Sequence, residues 1–289
     1  MTTKLNERAM LVRLKIHMIG TSRTDRQVTD ETIERKGATS DSGRWTTQFI
    51  PKESMKNIAS ARNRLRTLHD FFTLPWLGDG TRVLPTQLFD KYMERYDRAV
   101  NDWQEAVDEF MQLYPTIREQ VEKNLAGLLT DEVIRSIPKV EEARQKFSID
   151  HDIFPMPDEN DFRVNLGADK INILKNSVKS SVERMTTEAV NDTYEKLSKM
   201  LERIFKTLDN KEAKFKNSLI GNLKDLVELM PMFNLNDDPK LESLRRMCDE
   251  QLANIDPQKL RDNKSLRKKT ADKAKEVLEC MRNIDLDME

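Results

Sequence analysis

The apolar positions of this chain follow two different periods, and each predicts its own kind of element. Residues 10–19 alternate strictly: Val12, Leu14, Ile16 and Met18 face one way, Arg13, Lys15 and His17 the other. That period of two predicts a half-buried strand with one wet side, and Gly20 ends it. A short polar helix is predicted for 25–36 and a loop for 37–43. The segment RWTTQFI, 44–50, is rich in aromatic and β-branched residues and reads as a second strand. From Lys52 to Phe72 the steps become three and four, through Met55, Ile58, Arg62, Leu65 and Leu68, so a helix is predicted. Trp76 and Leu77 then read as buried anchors of a structured loop, GDG as a tight turn and TRVLP as a short extended piece.

The most regular stripe follows. Phe89, Tyr92, Tyr96, Ala99, Trp103, Ala106, Phe110 and Leu113 predict a helix of about 28 residues, capped by Thr86 and succeeded after Pro115 by another. Strict heptads make coiled-coil seams, but three bulky aromatics and two alanines fit packing against unlike neighbours better. Residues 130–168 are irregular: IPKVEEARQKF reads as a short helix, IDHDIFPMP as an extended Pro-bracketed loop, DFRVNLG as a third strand. A domain boundary is placed near Gly167. Beyond it, Ile171, Leu174, Val178, Val182, Met185 and Ala189 form one stripe. Val190, Tyr194, Leu197, Leu201, Ile204 and Leu208 form the next, in a helix of about 40 residues. Asp209-Asn210 turns the chain into a second helix (Phe215, Leu219, Leu223, Leu226, Met230) closed by Pro231, and two shorter helices follow. The expected fold is therefore mostly α: an N-terminal α+β domain with a small sheet over 1–167, then a long helical hairpin or bundle over 168–289.

Composition sharpens this picture. Apolar residues make up 37% and charged ones 34%, against roughly 45–50% and 25% in globular domains, which suits long amphipathic helices with thin apolar stripes. The net charge of −1 predicts no global attraction to nucleic acid or membrane. Residues 1–75, however, hold 14 Lys/Arg against 8 Asp/Glu, and residues 86–160 hold 9 against 17. Cys248 and Cys280 read as free thiols in a reducing compartment. With neither a signal-peptide core nor a transmembrane stretch, a cytoplasmic location is expected.

Candidate chemistry is sparse. The three histidines, His17, His69 and His151, are scattered, and Asp150-His151-Asp152 cannot converge on one ion because neighbours in sequence point apart. The loop LGDGTR matches no phosphate-binding pattern. No cofactor, metal or catalytic residue is expected, and the chain reads as a non-enzyme. The best nucleic-acid candidates are Arg62, Arg64 and Arg66, with Arg23 and Arg26. Arg62 and Arg66 share a helix face and would grip successive phosphates, or Arg62 snorkels beside the core while the others are solvated. The run from Lys264 to Lys269 is a weaker candidate of the same kind. For self-association or a partner, the exposed stripe is expected to be Leu197, Leu201, Ile204, Leu208, Phe215 and Leu219.

The order of a strand ending at Gly20, the loop GDGTRVLP, the helix LFDKYMERY, then QKFSIDHDIFPMP and DFRV resembles an uncharacterised family of phage and bacterial proteins, the domain of unknown function numbered 3150. The resemblance spans roughly residues 9–230, and Phe154-Pro155-Met156-Pro157 with Asp161-Phe162-Arg163 is its most specific part. It implies a phage or mobile-element origin and, from the neighbours such proteins keep, an adaptor role beside a MoxR-type AAA+ ATPase. The leading expectation is a non-enzymatic, oligomeric interaction or scaffold protein. The alternative is a phage nucleic-acid-binding protein using the basic N-terminal region.

Overall fold

A computed structural model of the chain describes residues 5–125, 128, 130–158, 168–210 and 212–286. Its elements are α1 (Leu5–Arg8), β1 (Ala9–His17), β2 (Ser22–Thr24), α2 (Arg26–Lys36), β3 (Thr46–Gln48), α3 (Lys56–Phe72), β4 (Leu74–Pro75), β5 (Thr81–Pro85), α4 (Phe89–Leu125), α5 (Asp131–Ser136), α6 (Val140–Ala143), β6 (Ser148–Pro155), α7 (Ala168–Asp209), α8 (Ser218–Phe233), α9 (Pro239–Cys248), α10 (Pro257–Asp262) and α11 (Lys264–Leu286). A four-stranded sheet has the order β4-β5-β1-β6, and β2 pairs antiparallel with β3. The protein is mostly α, with a small sheet in its N-terminal part followed by long helices, as the two periods predict. The third strand predicted at 161–167 lies outside the described residues. None of the described helices is long and apolar enough to cross a membrane.

The division into units is not sequential. One comprises Met1–Val12, Phe72–Asp90 and Ile153–Glu289, the other Arg13–Phe71 and Lys91–Asp152, so the chain passes between them four times. A boundary at Gly167 follows composition, whereas strand pairing and side-chain bonds join distant segments. Within the first unit, Arg8 donates to the carbonyls of Asn234 and Leu235 and pairs with Asp237 at 3.0 Å, and Lys196 donates to the Thr73 carbonyl.

The helical part of the first unit is built on α7, 42 residues or about 63 Å at 1.5 Å per residue. Leu197, Leu201, Ile204 and Leu208 are each at most 2% exposed. Their cover is α11 chiefly and α8 next, so the expected two-helix hairpin is part of a larger bundle. Arg267 on α11 caps the C-terminal end of α7. Its guanidinium donates to the carbonyls of Thr207 and Leu208, which the helix end leaves without intrahelical partners, and to those of Asn210 and Ala213 just beyond it. Phe215 lies under both Arg261 and Arg267, with ring distances of 5.2 and 5.3 Å. Two members of the basic run from Lys264 are thus engaged within the bundle, since Lys268 also pairs with Asp209 and Asp272.

The second unit is centred on α4, 37 residues long with Pro115 inside it. A break at this proline is the local expectation, since it removes a backbone donor. The helix continues because Phe110, Tyr114, Ile117 and Val121 on both sides of the proline are all buried in one core with Ile50, Ile58 and Phe147. Tyr114, not Leu113, carries the stripe forward, and Leu113 is 57% exposed: an α-helix drifts away from a strict heptad face. The same override carries α8 through Pro231 to a buried Phe233. Trp76 is buried as expected, but Leu77 is 49% exposed, because it sits in the turn where Gly80 (φ 89°) donates back to the Leu77 carbonyl.

Candidate functional site

The lobe made by β2, α2 and β3 is held together largely by hydrogen bonds. The helix α2 buries none of its residues, so apolar packing contributes little to it and hydrogen bonds must define its shape. Asp25, itself fully buried, caps the helix by accepting from the Val28 amide at 3.1 Å, and its other oxygen accepts from Thr130 Oγ1 at 2.7 Å. Gly37 closes the other end with φ 62°, its amide bonding the Glu34 carbonyl and that of Ala38 the Ile33 carbonyl. The returning loop is tied down where the Asp25 amide donates to the Trp45 carbonyl and the Trp45 amide to Thr29 Oγ1. The strands add the register Ser22↔Gln48 to Thr24↔Thr46.

This framework leaves apolar and cationic side chains facing outward. Trp45 is 43% exposed and Ile33 is half-buried. Two adjoining cavities lie between α2 and the 38–45 loop. One, about 290 Å³, is mostly apolar and lined by Ile33, Ala38 and Trp45 among others. The second, about 530 Å³, is lined by Arg23, Arg26 and Arg44 with Asp30, Ser40 and Thr24. Thr29, Gly43 and Arg44 line both.

Of the arginines expected to hold phosphate, Arg23 and Arg26 therefore meet at one cavity, joined by Arg44, which sequence reading passed over because it stands alone between Gly43 and Trp45. The α3 arginines are not brought to it. Arg62 turns its Nη1 toward Met18 Sδ at 3.7 Å, and burial, then Arg66, holds its pKa below the ordinary value. Arg64 donates to Ser60 and pairs with Asp102 at 3.6 Å. Arg66 is exposed on the same helix. Of the six residues expected to form a partner surface, Leu197, Leu201, Ile204 and Leu208 are covered by the chain's own helices, and only Phe215 and Leu219 are half-exposed. A stripe read from sequence shows that a face is apolar, not what covers it.

A second cluster was not legible in the sequence. Tyr92 on α4 places its hydroxyl 2.9 Å from His69 Nδ1 and 3.0 Å from His151 Nε2, residues 23 and 59 positions away along the chain. A phenol has one proton, so it donates to one imidazole and accepts from the other, and the tautomers of the two rings are linked. The Tyr96 ring stacks on His151 at 4.3 Å. Burial, then Tyr96, raises the Tyr92 pKa well above that of a free phenol. Burial, then Asp97, raises Tyr96 to about 12. Burial pushes His151 down against the opposing pull of Asp152 and Asp97. The segment expected to be a loop here is strand β6. Its acidic residues are matched across the strands, Asp152 with Arg13 at 2.8 Å and Asp150 with His17 at 3.1 Å. Among the described residues no three His, Cys, Asp or Glu side chains are grouped to hold a metal ion.

Comparison with protein-family models, characterised proteins and solved structures found no match to this chain.

Proposed function

We propose that this chain is a non-enzymatic interaction protein, acting in the cytoplasm, whose recognition element is the β2–α2–β3 lobe. The observation that carries this reading is a helix that buries none of its residues, yet is capped at both ends and laced to a loop presenting an exposed tryptophan. Tryptophan and arginine are the side chains most concentrated in binding hot spots, where they anchor a partner inside a desolvated rim. An adaptor beside a MoxR-type AAA+ ATPase, as the family resemblance implies, is a specific form of this function, and co-purification with that ATPase tests it. Self-association through Leu197, Leu201, Ile204 and Leu208 would require the bundle to open, so any oligomer is expected to form elsewhere.

Affinity purification from the native host with wild type and Trp45→Ala tests the general reading. Loss of a hot-spot tryptophan weakens binding by about thirtyfold or more, so the partner band should vanish under washes that retain it on wild type. An unchanged partner set, or a monomeric chain with no partner in either case, removes the reading.

A second reading, binding of nucleic acid, is favoured by the meeting of Arg23 and Arg26 with Arg44. It predicts affinity that falls steeply with salt. Salt-insensitive or absent binding to single and double strands ends it.

A further inference from the structure

We infer that the two adjoining cavities of the lobe take an acidic peptide, with a carboxylate between Arg26 and Arg44 and an adjacent apolar side chain against Trp45 and Ile33. This deepens the reading of the lobe as a recognition element and rests on it. Three observations lead there. The first is unspent charge. Among the described residues, Arg26 and Arg44 take part in no ion pair or side-chain hydrogen bond, although elsewhere in the same unit Arg13 holds Asp152, Arg64 holds Asp102 and Arg144 holds Asp108. The cavity that these two arginines line has the single carboxylate of Asp30 in its wall. Guanidinium groups bind carboxylates in pairs of parallel hydrogen bonds, which makes an acidic side chain the matching group.

The second is the shared wall. Because Thr29, Gly43 and Arg44 line both cavities, one ligand fills them only if its acidic and apolar groups are close neighbours. Side chains one or two residues apart in an extended peptide meet that condition, since alternate positions on one face are only about 7 Å apart. The third is what the lobe lacks. Residues 21–50 carry five Lys/Arg and five Asp/Glu, so the lobe as a whole has no excess positive charge to attract a polyanion.

The test is an array of immobilised heptapeptides in which Asp or Glu is followed within two positions by Leu, Phe or Trp, beside matched peptides with Asn or Gln in place of the acid. The full-length chain is applied as wild type, Arg26→Ala/Arg44→Ala and Trp45→Ala, and single-stranded oligonucleotides are spotted on the same array. Wild type should favour acidic over amide peptides about tenfold, the worth of one charge-assisted hydrogen bond. The double arginine variant should lose that preference, and Trp45→Ala should lose binding altogether. All three sites are exposed, so melting temperatures should agree, and a variant that melts early is replaced by Arg26→Gln/Arg44→Gln. Equal retention of acidic and amide peptides through Trp45 overturns the inference and leaves the recognition reading standing. Retention by wild type of no peptide at all, with Trp45→Ala still holding the native partner, overturns both. Oligonucleotide binding that falls with the arginines while peptides are ignored overturns the inference in favour of nucleic acid.

Discussion

At the scale of single residues, the sharpest consequences lie in the histidine–tyrosine chain. Tyr92→Phe removes one hydrogen bond to each of two imidazoles, His69 of which is 4% exposed. Two neutral hydrogen bonds at about 0.5–1.5 kcal/mol each give an expected loss of roughly 1–3 kcal/mol, readable as a lower urea midpoint at unchanged slope. The pH dependence has a definite sign. Burial makes the charged form of His151 less favourable in the folded chain, so its pKa lies below the ordinary value of 6.5. The unfolded chain therefore binds the proton more readily. Stability contributed by neutral His151 is complete above that ordinary value and is lost as pH falls from it through the lower folded value. Melting temperature should drop on acidification through this window, and His151→Gln should flatten that part of the curve. A wild-type melting curve that is level across the window contradicts the assignment. None of this was readable from sequence: His69 lies among apolar helical residues and His151 between two aspartates, and only the fold brings both to one hydroxyl.

At the scale of elements, periodicity identified what it physically encodes and nothing more. The stripe from Val190 to Leu208 predicted α7 but not the helices that cover it, and alternation predicted β1, because a period records only that one face is apolar. Strand β6 was hidden since its Asp150 and Asp152 look like loop residues until His17 and Arg13 stand opposite them. The prolines misled for a related reason: the local cost at Pro115 is real, but burial of Tyr114 and Ile117 beside it offsets that cost. The lobe was legible only as a strand, a polar helix and two of its three arginines. Arg267 gives an element-scale prediction. Arg267→Ala strips the C-terminal carbonyls of α7 of their shared donor and removes one of two cations over Phe215. The expected cost is about 2–3 kcal/mol, and hydrogen exchange should show it concentrated at residues 204–219. Uniform loss of protection throughout α7 would point to a different role.

At the scale of the whole molecule, the interleaving of the two units governs behaviour. The fragment 168–289 contains helices α7 to α11 but lacks the segments Met1–Val12 and Phe72–Asp90 that belong to its unit, among them the fully buried Leu74, Val83 and Leu84. It should be helical by circular dichroism yet melt well below the full chain and with lower cooperativity. A fragment as stable as the intact protein would show that composition, not long-range pairing, sets the true boundary. The bundle's dependence on α11 also bears on the order of events during synthesis. Helix α7 leaves the ribosome tens of residues before its main covering helix exists, so its apolar face waits, covered at most in part by α8, while residues up to 286 are made. At translation rates of about 5–20 residues per second that interval lasts several seconds, long enough for a chaperone to engage the nascent chain, and folding of this unit is expected to be completed only after its last helix emerges.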